Sequence, residues 1–256
     1  MIKQLLLKSV VFLFLIGIYL AHSNSNVYSE YEQDVVEASM ELQFAYSELS
    51  KGETDEAIVS FNKAISLDDK NSLAYTGLGS AYVQKGNFDE AIVSFNKAIS
   101  LDDKNSLACT GLGKAYSRKG NFDEAIVSFN KAISLDDKNS LAYTGLGYTY
   151  VRKGNSDEAI VSFNKAISLD DKNSLAYTGL GSAYVRKGSF DEAIVSFNKA
   201  ISLDAKNSPA YYALGLAYLS LDKKDLALEQ YNILNELNKD LAKQLYKEIE
   251  LKNLPQ

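Results

Sequence analysis

One spacing dominates the chain. Asn-Ser-Leu-Ala begins at Asn71, Asn105, Asn139 and Asn173, and Asn-Ser-Pro-Ala at Asn207, each 34 residues after the last. Asp-Glu-Ala-Ile-Val-Ser-Phe-Asn-Lys-Ala-Ile-Ser-Leu-Asp recurs on the same step from Asp55, Asp89, Asp123, Asp157 and Asp191. A period of this length demands an array of like units, each too thin to bury its own apolar faces without its neighbours. With Ser72 as position 1, near-copies occupy 72–105, 106–139, 140–173 and 174–207, with divergent copies at 38–71 and 208–241.

Each unit reads as two helices. In the first, Tyr75, Leu78, Gly79 and Tyr82 fall at i, i+3, i+4 and i+7, one face of an amphipathic helix, and Gly86 ends it. Asn87 stands three residues before Glu90, a capping-box-like start for the second helix, where Asp89 and Glu90 suit the positive end. Ala91, Phe95, Ala98 and Leu101 then mark its apolar face. Pro209 falls where a helix start tolerates proline.

Tyr75-x-x-Leu78-Gly79-x-x-Tyr82, followed by Ala91-x-x-x-Phe95 and Ala98, resembles the tetratricopeptide repeat (TPR) signature, with Tyr where that family often has Trp. The resemblance covers residues 38–241 in six units. It departs from the family pattern at Asp69, Asp103, Asp137, Asp171 and Ala205, where proline is usual, at Cys109 for a position-4 Tyr, and at Ser156 for an apolar residue. It implies an all-α fold, a right-handed superhelical α-solenoid with a concave face lined by the first helices. Polar ends are expected. Glu41 and Glu48 replace two core tyrosines in the first unit, and residues 240–252 form a C-terminal capping helix with Leu241, Leu245 and Ile249 on its apolar side.

In the first helix, positions 4, 7, 8 and 11 are spent on packing, so positions 2, 5, 6, 9, 12 and 13 are expected to line the groove. The candidate groove residues are Thr76, Ser80 and Gln84 in the second unit, Thr110, Lys114 and Arg118 in the third, and Thr144, Tyr148 and Arg152 in the fourth. Thr178, Ser182 and Arg186 in the fifth and Tyr212 in the sixth complete the set. Arg118, Arg152 and Arg186 are the only arginines in the chain and share one repeat position. First helices about 10 Å apart would present one Arg to every third residue of an extended peptide rising about 3.3 Å per residue, so an acidic, extended partner suits the ladder. Exposed ion pairs add only about 0.2–1 kcal/mol each, so Leu107, Leu141, Val151, Tyr148, Val185 and Tyr212 would have to contribute apolar contact. The alternative is that Arg-Lys near a helix C-terminus complements the dipole and was copied by duplication. Gly77, Gly111, Gly145 and Gly179 cost about 1 kcal/mol each inside a helix. Either they let a ligand backbone approach or they are duplicated accidents. The stripe has no Asn and a single lysine, which argues against the carboxylate clamp of some family members.

Residues 1–23 read as a secretory signal peptide. Lys3 and Lys8 precede an apolar run from Val10 to Ala21, too short to span a bilayer, and Ala21-His22-Ser23 offers a cleavage site. Residues 24–37 read as a polar linker. An uncleaved N-terminal anchor is the alternative, which would make the chain a membrane-anchored envelope assembly factor.

The rarer residues exclude chemistry. One His (His22), one Cys (Cys109) and no Trp leave no disulfide within the chain and no Cys/His zinc site, and a His-based triad would need His22 itself. A net charge of −6 argues against nucleic acid. The Asp-Asp pairs (Asp68-Asp69 and its copies) lack the spacing and glycine of a calcium loop and read as solvated turns. No catalytic residue, metal site or cofactor is expected. A glycosidase working on carboxylates alone is disfavoured because the same acids recur without a unique pair. The reading is a non-catalytic, exported (periplasmic or secreted) scaffold that binds a protein or peptide in its groove, touching membrane only if the N-terminal segment is retained.

Overall fold

The computed structural model describes residues 30–252, and the expected signal peptide lies outside them. Among the described residues all regular structure is helical, in thirteen helices. They run α1 Glu30–Lys51, α2 Thr54–Leu67, α3 Ser72–Lys85, α4 Phe88–Leu101, α5 Ser106–Lys119, α6 Phe122–Leu135 and α7 Ser140–Lys153. Then follow α8 Ser156–Leu169, α9 Ser174–Lys187, α10 Phe190–Leu203, α11 Ser208–Ser220, α12 Lys224–Leu237 and α13 Lys239–Leu251. Successive pairs stack in chain order, each second helix packing on the next unit's first helix and first helices touching one another. The segment expected as linker up to residue 37 is already helical from Glu30, because Ala38 and Ala45 bury one face of a longer helix against α2.

Local sequence sets the joints. Gly86 takes the left-handed conformation at φ 91°, its N–H bonding Val83 O while Asn87 N–H bonds Tyr82 O at 2.9 Å, which closes α3. Gly120, Gly154 and Gly188 repeat this, and in the sixth unit Asp222 takes the corresponding role at φ 56°. The Asn that caps with its side chain is not Asn87. Asn71 Oδ1 accepts from Ala74 N–H, and Asn105, Asn139, Asn173 and Asn207 do the same for α5, α7, α9 and α11. Asn87 makes no side-chain cap bond; its amide faces the Glu90 carboxylate at 3.5 Å. The first Asp of each Asp-Asp pair folds the turn, as where Asp102 Oδ1 accepts from Lys104 N–H at 3.1 Å. Between α12 and α13 this turn shrinks to Asn238, which ends one helix and caps the next.

The core is a row of phenylalanines set between glycines. Phe95 is 1% exposed; a Cβ on Gly79 of its own unit would lie 2.8 Å from the ring, and one on Gly111 of the next unit 2.3 Å. Phe129 sits likewise between Gly113 and Gly145, and Phe163 between Gly147 and Gly179. The position-6 glycines therefore serve neither a ligand backbone nor chance. They admit the preceding unit's ring, whose burial contributes about 1.5–3 kcal/mol against a helix cost of about 1 kcal/mol for the glycine.

Candidate functional site

At about 100° per residue, positions 2, 9 and 13 of a first helix share one stripe, whereas positions 5 and 12 turn toward the following unit and position 6 toward the preceding one. Burial follows this division, and it splits the expected groove set.

The threonines leave the groove. Thr76, Thr144 and Thr178 are buried and Thr110 half-buried. Thr76 Oγ1 donates to Ser72 O at 2.8 Å and accepts at 3.0 Å from Nδ2 of Asn105, which caps the next unit's first helix. Asn139 reaches Thr110 at 3.0 Å, Asn173 reaches Thr144 at 3.1 Å and Asn207 reaches Thr178 at 3.0 Å. One Asn thus caps its own helix and ties it to the helix before. This is an internal polar ladder that runs between the units. The capping motif was legible one residue before each first helix; its second bond needs the unit spacing to be seen.

Tyr212, the sixth-unit residue at the same position, packs against the terminal cluster of Leu234, Leu245 and Ile249. Val151 is buried, and Val185 is half-buried against the cluster that contains Phe197. Ser80 and Ser182 are half-buried, their hydroxyls donating to Thr76 O and Thr178 O at 2.9 Å each.

What remains on the stripe is apolar and cationic. Leu73, Leu107, Leu141 and Leu175 at position 2 are 51%, 60%, 61% and 58% exposed. Leu73 and Leu175 belong to the row as fully as the two expected leucines. Gln84, Lys114, Arg118, Arg152 and Arg186 are exposed. The arginines are not equivalent. Arg152 donates to Ser117 O of the preceding unit and lies over the Phe122 ring, 5.0 Å from its centroid. Arg118 and Arg186 carry no protein partner among the described residues. Lys114 lies one turn before Arg118, and its ammonium is held below the ordinary lysine value, first by partial desolvation and then by the Arg118 charge.

Tyr148 is half-buried and bridges two units. Its hydroxyl donates to Leu175 O at 2.8 Å, its ring meets Phe163 edge-on at 5.1 Å, and burial pushes its phenol up to about 12. Tyr46 makes the same pair of contacts with Leu73 O and Phe61 three units earlier, a match that shares position 9 of the repeat.

Elsewhere, Glu41 and Glu48 point at the second helix of their own unit: Lys63 pairs with Glu41 at 2.7 Å and Ser60 Oγ donates to Glu48 at 2.8 Å. In the second and fourth units, which have Tyr at position 4, the same lysine lies over its ring, Lys97 on Tyr75 at 5.9 Å and Lys165 on Tyr143 at 6.0 Å. Cys109 is 2% exposed and burial raises its thiol, which disfavours the thiolate.

The model of the Cilia and flagella-associated protein 70 C-terminal domain family matches residues 18–232. Among solved structures, the APC/C hetero-tetramer Cut9–Hcn1 superposes with a TM-score of 0.76 at 22% identity, covering 94% of this chain but 46% of that one, so the chain spans less than half its length. MamA is 31% identical with a TM-score of 0.54 over 67% of this chain and 93% of its own. YrrB, a TPR protein with an unusual peptide-binding site, is 24% identical with a TM-score of 0.53 over 73% of this chain and 97% of its own. No curated protein sequence matches the chain.

Proposed function

The chain belongs to the tetratricopeptide repeat family, in the group described by the Cilia and flagella-associated protein 70 C-terminal domain, and on that premise we propose that it is a non-catalytic, exported scaffold holding an extended protein segment along its first helices. The observation that carries this reading is the row of four leucines, each more than half exposed at one repeat position, with Lys114, Arg118 and Arg186 on the same stripe. Exposed apolar side chains aligned at a fixed spacing suit a partner of matching spacing, and the cations favour acidic side chains between its apolar ones. The peptide-binding site of YrrB supports the same use of the fold.

Affinity then rests on leucine contact, with each exposed ion pair adding about 0.2–1 kcal/mol. Arg152 contributes less than its neighbours because its guanidinium is already engaged. The test is a pull-down from the secreted or periplasmic fraction with the chain starting at Asn24, against the variants Leu107→Ser with Leu141→Ser and Arg118→Gln with Arg186→Gln. The leucine pair should abolish capture. The arginine pair should weaken it and flatten its salt dependence, with helicity unchanged in both. Equal capture by all three proteins sinks the reading. Export is checked separately by sequencing the mature N-terminus: a start at Asn24 supports it, and a start at Met1 favours the membrane-anchored reading. No helix among the described residues is long and apolar enough to cross a membrane.

A further inference from the structure

The second helices carry an apolar row of their own. Val59, Val93, Val127, Val161 and Val195 occupy one repeat position and are 69%, 69%, 68%, 69% and 70% exposed. A β-branched residue gains nothing at a solvent-facing helix position, because its χ1 is restricted there and its methyls stay in water. In the sixth unit the same position is Glu229, so the row ends in a charge.

Each valine has the same surroundings. At about 100° per residue, the Glu three residues before it and the Lys four after it lie along one edge of the stripe. The Asp four before and the Asn three after lie along the other. In the third unit these are Glu124, Lys131, Asp123 and Asn130, all exposed. Turning a second copy end for end about a two-fold axis in the plane of contact keeps each edge and inverts each height. Val127 then meets its own equivalent, Lys131 faces the equivalent of Glu124, and Asn130 faces that of Asp123. The heights agree as well: Lys lies about 6 Å to one side of the valine and Glu about 4.5 Å to the other, at 1.5 Å per residue. Neighbouring units carry the identical pattern. The third unit is the middle of the five-valine row, and there Cys109 replaces the tyrosine over which Lys97 and Lys165 lie in the second and fourth units.

We propose that the valine face docks a second copy of this chain, antiparallel helix on helix about a two-fold axis centred on the third unit. The first-helix stripe stays open in that dimer, so self-association and partner binding use different surfaces.

Sedimentation of the full chain from low micromolar to millimolar concentration tests this. The wild type should show a monomer–dimer equilibrium. Val127→Glu, which installs the residue found at this position in the sixth unit, should weaken it about tenfold or more. Glu124→Lys and Lys131→Glu should each weaken it, and the two together should restore it, because the exchanged pair is again self-complementary. Circular dichroism on every variant separates lost contact from lost fold. A wild type that stays monomeric overturns the proposal, as does a dimer indifferent to Val127→Glu or a double exchange that fails to restore association.

Discussion

The two junctions flanking the third unit share one frame and differ in its filling. At both, an Asn caps the incoming helix and bonds a Thr and a Ser of the unit before, Asn105 to Thr76 and Ser72, and Asn139 to Thr110 and Ser106. At both, a Lys and an Asp pair across the units, Lys119 with Asp89 and Lys153 with Asp123. The earlier junction then packs Val83 and Ala115. The later one has Ser117 and Thr149 at those positions, 3.1 Å apart at their hydroxyls, with Thr149 also donating to Gly145 O at 2.8 Å and Arg152 closing over Ser117 O. Val to Ser in one unit and Ala to Thr in the next meet across one junction. The junction, not the unit, is where this array stores a polar change, because only there do the two groups satisfy each other.

If the frame is common, its core should respond equally on both sides. Phe95 and Phe129 are each 1% exposed between two glycines, so Phe95→Ala and Phe129→Ala should each cost about 3–5 kcal/mol. Urea unfolding monitored by circular dichroism reads this. A difference between them larger than about 1 kcal/mol, the size of a typical single-site effect, would mean that the polar filling of the later junction reaches its core and would break the comparison.

The filling itself is tested by a cycle. Ser117→Val and Thr149→Ala should each cost about 1 kcal/mol, since each leaves a hydroxyl or a volume without its counterpart. The double variant rebuilds the earlier junction's Val and Ala and should return close to wild-type stability, with a coupling of about 2 kcal/mol. Additive costs would show that the hydroxyls act independently and that their proximity is incidental.

These contrasts also show what could be read before the fold was known. Helix pairs and their joints were legible because glycine, asparagine and the apolar period act locally: Gly86 and Pro209 stand where their own backbones require. The groove was only partly legible. Thr76 and Leu73 both lie off the packing face on a helical wheel, and only the angle at which the next unit approaches decides that Thr76 is buried and Leu73 is not. The position-6 glycines defeated sequence reasoning for the same reason, since the Phe61 ring that excludes a Cβ at Gly77 belongs to the previous unit. Arg118 and Arg152 look alike in sequence. Their difference depends on Ser117 and Phe122, which come within reach of Arg152 only when the units stack.

The smallest effect separates the same two units on their open side. In the second unit positions 9 and 13 are Ser80 and Gln84; in the third they are Lys114 and Arg118. Like charges one turn apart on a helix destabilise it by about 0.2–0.5 kcal/mol, so Lys114→Ser should stabilise the protein by that amount at low salt and by less as salt screens the pair. The pH dependence has a definite sign. The Lys114 ammonium titrates below its ordinary value of 10.5 in the folded chain, so the folded state releases this proton before the unfolded state does. The wild type's penalty is therefore complete at neutral pH and shrinks as pH rises through the lowered value toward 10.5, and the advantage of Lys114→Ser shrinks with it. Ser80→Lys, placed beside neutral Gln84, should keep the desolvation part of this penalty and lack the part due to Arg118. Equal effects at the two sites, or an advantage for Lys114→Ser that survives high pH, would locate the cost in the lysine side chain itself and not in its pairing with Arg118.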